Sequence, residues 1–130
     1  MRPLFHPLIG EITVEGILHA LSDPVRAALF VEILEQACPR NSSGFLTVRK
    51  RKIPKSTLSQ HLKVLRAAGL IRSERGGVEM FNTARCAEIE QRFPGLLPAI
   101  VRSHSIQWKG EAQAKVQPEA EIRPDGSGPR

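Results

Sequence analysis

The chain has 130 residues, 41% of them hydrophobic and 25% charged, which is enough for one folding unit with or without a tail but excludes two independent cores. Nineteen Lys and Arg against thirteen Asp and Glu leave a net charge of +6, which favours a polyanionic partner such as nucleic acid or an acidic membrane surface. The two cysteines, Cys38 and Cys86, form neither a disulfide framework nor the paired spacing of a zinc finger, and fit a reducing, cytoplasmic setting. No leader-like or membrane-length apolar run occurs, so neither export nor insertion is expected. With no tyrosine and 5% aromatic residues, a base-stacking platform for single strands is poorly supplied, so duplex is the favoured nucleic acid.

Residues 1–11 read as an N-terminal arm. A short helix is predicted over residues 14–21, with Val14, Ile17, Leu18 and Leu21 at i, i+3, i+4 and i+7. Asp23 then serves as N-cap and Pro24 as first residue of a second helix, because proline's missing N–H would be unpaired there anyway. Its apolar stripe of Val25, Ala28, Leu29 and Ile33 is widened by Phe30, Val31 and Leu34, so the helix should be buried on most sides until it stops near Cys38-Pro39. Residues 40–44 have loop composition, and residues 45–48 are apolar but too short to assign to helix or strand.

Ser56 is the predicted N-cap of a helix over residues 57–68, which Gly69 ends. Leu58, Leu62 and Leu65 form its buried stripe, so Thr57, Ser59, Gln60, Lys63 and Arg66 should face outward. Residues 70–75 and 78–82 read as two strands joined at Gly76-Gly77, a turn tolerating positive φ at both central residues. Asn82 or Thr83 can cap a helix through residue 92. After Pro94-Gly95 a last helix is expected from residue 96 toward Trp108, and from Gly110 the polar, Pro- and Gly-containing composition predicts a flexible tail over 110–130.

Charge is concentrated on this pattern. Residues 49–75 hold nine basic side chains and the single acid Glu74, a local +8, while residues 1–48 carry −2 and residues 76–130 are neutral. A capped helix with a polar, basic outer face followed by a basic hairpin is the layout of a winged helix-turn-helix, so the fold class is mainly α with a small β-hairpin. At the start of such a helix Ser56, Thr57, Ser59, Gln60 and His61 are the candidate base contacts. Arg49, Lys50, Lys52, Lys55, Lys63, Arg66, Arg72 and Arg75 are the candidate backbone-phosphate contacts.

Two motifs carry a family resemblance. Leu18-His19-Ala20-Leu21-Ser22-Asp23-Pro24-Val25-Arg26 and Ser56-Thr57-Leu58-Ser59-Gln60-His61-Leu62-Lys63-Val64-Leu65-Arg66-Ala67-Ala68-Gly69-Leu70-Ile71 together resemble the bacterial arsenic-repressor (ArsR/SmtB) class over about residues 12–108. The resemblance implies a domain over 12–109 with a recognition helix at 56–68, a wing at 71–81, and a homodimer through helices at about 10–21 and 95–108. It further implies repression from a palindromic operator in double-stranded DNA, in a cytoplasmic, nucleoid-associated protein. Two departures matter. Residues 45–54, where metal-sensing members carry a Cys-x-Cys site on the helix before the recognition helix, hold no cysteine, and His104 has no partner at ligand spacing. No metal site or cofactor is therefore expected, and the effector is an unidentified small molecule or redox signal.

For His61 the favoured reading is a DNA-contacting or locally hydrogen-bonded imidazole rather than a metal ligand or pH switch. Cys38 and Cys86 are candidate redox thiols, weighed against two inert apolar residues. No nucleophile elbow or Gly-rich phosphate loop is present, so no enzyme is expected. The alternative function is a nonspecific architectural DNA-binding protein or a winged-helix adaptor between proteins.

Overall fold

The computed structural model describes residues 4–35, 40–41, 47–48 and 51–116; side chains are described for 4–35 and 52–111. A 3-10 turn, Ile9–Glu11, leads into α1 (Val14–Ala20) and α2 (Pro24–Glu35). The short strands β1 (Arg40–Asn41), β2 (Thr47–Val48) and β3 (Arg51–Lys52) precede α3 (Lys55–Ala67). The hairpin β4 (Ile71–Gly76) and β5 (Glu79–Ala84) follows, then α4 (Cys86–Arg92) and α5 (Leu96–Val116). The chain divides after Leu97 into two compact units, the second beginning at Pro98. The expected 12–109 domain spans that division.

The Asp-Pro-x-Arg motif is a helix junction. Asp23 Oδ1 accepts from Arg26 N at 2.9 Å, capping α2 as expected. Arg26 in turn reaches back over the end of α1, where Nη2 donates to His19 O at 3.1 Å and Nε donates to Ala20 O. The guanidinium thus adds to the closure of α1, where His19 O also accepts from Ser22 Oγ at 2.7 Å and from Ser22 N at 3.3 Å. Ala27, Ala28, Leu29, Phe30 and Ile33 of α2 are buried, which makes it the central core helix. In α1 the expected stripe is only partly buried. Ile17 and Leu21 are inside, whereas Leu18 is 49% exposed.

Helix α3 packs against α2 and β4 through buried Leu58, Leu62 and Leu65. Its start corrects the expectation. Pro54, extended at φ −55° and ψ 142°, accepts from Leu58 N at 2.9 Å, so the first turn opens at Lys55 and Ser56 lies inside it rather than capping it. The far end is as predicted. Gly69 sits at φ +84°, its N–H bonds Arg66 O and that of Leu70 bonds Leu65 O, both at 3.0 Å, a paired closure that needs a left-handed residue.

Three further expectations are corrected. Arg40 and Asn41, read as loop, pair with Asn82 and Phe81 as an edge strand, so the sheet order is β1-β5-β4. The ambiguous 45–48 segment resolves at Thr47–Val48 into a strand paired antiparallel with Arg51–Lys52. β-branched Thr47 and Val48 suit a strand, and Pro54 keeps Ile53 out of helix. The hairpin turn lies one residue later than expected, because Gly76 pairs with Glu79 and leaves Gly77 and Val78 as the tip. A Cβ at Gly76 would fall 2.6 Å from Phe81 Cε2, so this glycine makes room for a ring, while Gly77 at φ +66° makes the turn.

Downstream, β5 runs on to Ala84 and α4 starts at Cys86 with no side-chain cap. Asn82 is held in the sheet, accepting from Ser73 Oγ at 2.8 Å, and cannot cap a helix. Helix α5 continues past Gly110 to Val116, and the tail predicted over 110–130 otherwise lies outside the described residues.

Candidate nucleic-acid interface

With the leucine stripe of α3 turned inward, Ser56, Thr57, Ser59, Gln60 and Lys63 are all exposed. Lys55 and Lys52 are exposed just ahead of them. No acid lies on α3, and its first turn carries no side-chain cap among the described residues. The amides there, the helix dipole and the lysines combine into a surface suited to an anion, with hydroxyl and amide groups between the charges for hydrogen bonding.

His61 differs from its neighbours. The ring is half-buried and its Nδ1 is buried without a hydrogen-bond partner among the described residues. It flanks the leucine stripe, within one turn of both Leu58 and Leu65.

The arginines divide into two kinds. Arg75 is exposed on β4 beside Glu74, near the hairpin tip where Val78 is fully exposed. Arg66 is half-buried and donates from Nη1 to Ser73 Oγ at 3.2 Å; burial first, and then the nearby Arg75, lower its pKa below the ordinary guanidinium value. Arg72 donates to Glu88 Oε1 at 3.5 Å. Both cations thus have partners inside the protein, which their sequence positions did not reveal. Arg49, Lys50 and Cys38 lie outside the described residues, and Cys86 is half-buried at the start of α4.

Sequence reasoning missed a group of residues behind this surface. His6, in the arm, accepts at Nε2 from Ser73 N at 2.9 Å. Arg85, 6% exposed, donates from Nη1 to Pro7 O at 2.9 Å and from Nε to Glu88 Oε2 at 2.7 Å, and Arg92 Nε donates to Ile12 O at 3.0 Å. Residues 6–12 are therefore fastened along β4 and α4. One signal was available: Ile71 and Ser73 share a face of β4, so a serine occupies a core position and calls for polar partners.

Among the described residues no three His, Cys, Asp or Glu side chains converge as metal ligands, and no helix is long and apolar enough to cross a membrane.

A family model described as bacterial regulatory protein, arsR family, matches residues 47–73. Over 65 residues the chain is 40% identical to the HTH-type transcriptional repressor SmtB of Mycobacterium tuberculosis, in strain CDC 1551 / Oshkosh and in strain ATCC 25618 / H37Rv. That match takes in 49% of this chain and 44% of each relative, so the chain spans less than half the length of the curated relatives it matches. Among solved structures, the ArsR-like Transcriptional Regulator from Rhodococcus sp. RHA1 is similar with a TM-score of 0.50 at 20% identity, covering 81% of this chain and 92% of that one, a likeness of fold. The segment matched by the family model runs from β2 through α3 into β4, the centre of the winged helix-turn-helix, and it is there that the chain is similar to the bacterial arsR family of regulatory proteins.

Proposed function

We propose that the chain is a sequence-specific regulator of transcription that binds double-stranded DNA, acting as a dimeric repressor on a palindromic operator. The observation that carries this reading is the outer face of α3: Thr57, Ser59, Gln60 and Lys63 are exposed together, with no acid, on a helix held rigidly by three buried leucines. Such a helix fits the major groove, Gln60 offers the paired donor and acceptor that adenine presents in complement, and the lysines meet phosphate. The hairpin, with exposed Arg75, lies along the flanking backbone. Leu18, exposed on α1, is an apolar residue that a second copy would cover, in keeping with dimerisation through the terminal helices. The protein acts in the cytoplasm, on the nucleoid, and its release signal is not a metal ion.

Selection from a random duplex pool with the full chain tests this. The expected product is a two-fold symmetric site with half-sites about one helical turn apart. Gln60→Ala should then relax base preference at one position of each half-site, costing about 1–3 kcal/mol there. Recovery of unenriched sequence, bound as tightly as any other duplex, would establish the architectural alternative instead.

A further inference from the structure

The arm, the wing and α3 meet at one serine. Ser73 is 2% exposed in β4; its amide donates to His6 Nε2 at 2.9 Å, and its hydroxyl donates to Asn82 Oδ1 at 2.8 Å and accepts from Arg66 Nη1 at 3.2 Å. These bonds join four parts of the chain: residue 6 of the arm, α3, β4 and β5. Resting on the DNA-binding reading above, we propose that His6 is a positioning residue, latching the N-terminal arm to Ser73 so that wing and α3 hold one relative setting, and that protonating His6 opens the latch and weakens DNA binding.

The chemistry follows from the direction of the first bond. An imidazole nitrogen accepts a hydrogen bond only while it carries no proton, so the latch exists only with Nε2 bare. The charged groups around His6 are Arg66 on α3, Arg72 on β4 and Arg85 ahead of α4, while the carboxylate of Glu88 on α4 is bonded to Arg72 and Arg85. A protonated His6 would be a fourth cation beside three guanidiniums. Burial, and then those three cations in turn, hold its pKa below the ordinary imidazole value, so the neutral, latched form persists at neutral pH. Acidification removes the hydrogen bond that the Ser73 amide donates to His6 Nε2 and repels the arm. Asn82 and Arg66 remain on the serine hydroxyl, but β4 loses the contact that ties it to residues 6–12.

The sign distinguishes this device from an ordinary DNA-contacting histidine, which gains positive charge on acidification and binds DNA more tightly. Here affinity falls. The test uses the full chain and a duplex recovered by the selection above, with affinity measured from about pH 8 to about pH 5.5 at fixed salt, and the exchange protection of the Ser73 amide followed by NMR over the same range. The wild type should lose about tenfold in affinity toward the acid end, together with Ser73 protection. His6→Gln places a non-titrating amide oxygen near the position of Nε2; it should keep the neutral-pH affinity and flatten both profiles. His6→Lys should bind at every pH as the wild type does in acid. Wild-type pH profiles retained by His6→Gln in both measurements would overturn the latch, as would affinity rising in acid. A wild-type chain with no duplex preference would remove the DNA-binding reading, and the Ser73 amide, read without DNA, would still decide whether the latch exists.

Discussion

Arg85 and Glu88 show how a single ion pair helps to hold the chain at Pro7. Arg85 is almost wholly buried, and its guanidinium has two acceptors, Pro7 O and the Glu88 carboxylate. Removing the carboxylate leaves a buried cation with a backbone oxygen alone. Breaking a fully buried pair in this way costs about 3–5 kcal/mol, but the Glu88 side chain is 39% exposed and water can replace part of the loss, so Glu88→Ala should cost about 2 kcal/mol in urea denaturation at neutral pH. The hydrogen bond from Arg85, with the charges of Arg85 and Arg72, holds the Glu88 carboxyl below the usual range, against a smaller opposing effect of burial. A lowered folded-state pKa adds stability that is fully present above the unfolded value near 4.3 and lost as pH falls through the folded value. The gap between wild type and Glu88→Gln should therefore close in acid below about pH 4, and a gap that widened there would contradict the assignment. None of this was legible in sequence. Asp23 was, because it caps its own helix three residues on, whereas Arg85 finds its acceptor 78 residues upstream.

At the scale of elements, what could be read was what local chemistry decides. The leucine period of α3 and the glycine that stops it follow from helix geometry, and both match the structure. The turn of the hairpin slipped by one residue because two adjacent glycines are equivalent to a turn rule, while the fold distinguishes them through the Phe81 ring. The edge strand Arg40–Asn41 was hidden because its pairing lies wholly in β5, some forty residues away. The same contrast between turn and packing separates two substitutions. Gly77, at φ +66°, has nothing within 4 Å of an added Cβ, so Gly77→Ala should cost about 1 kcal/mol for the left-handed backbone alone. Gly69, at φ +84°, would place a Cβ 2.5 Å from Ile12 Cγ1 and 2.6 Å from Ile12 Cδ1. Gly69→Ala should therefore cost about 2–4 kcal/mol, as backbone strain and overpacking add. Denaturation midpoints of the two variants check the ordering, and equal values would mean that Ile12 moves aside freely.

For the whole molecule, the +6 of the sequence is a sum over cations in different states. The nine basic residues from 49 to 75 were equivalent in sequence, since a charge count does not say which cations are bonded within the fold. The structure separates them: Lys52, Lys55, Lys63 and Arg75 are exposed, while Arg66 is half-buried against Ser73 and Arg72 is bonded to Glu88. Counterion release makes that division measurable. Each phosphate neutralised contributes about −0.9 to the slope of log K against log salt, so the slope counts the cations that reach DNA rather than those in the chain. Lys63→Ala should weaken binding and flatten the slope by about one for each protomer bound. Arg66→Ala should weaken binding with a much smaller change of slope, because what it removes is the tie between α3 and Ser73 rather than a phosphate contact. Titrations of both variants over a range of salt concentrations decide this, and an equal flattening by Arg66→Ala would mean that this guanidinium leaves Ser73 for phosphate when DNA binds.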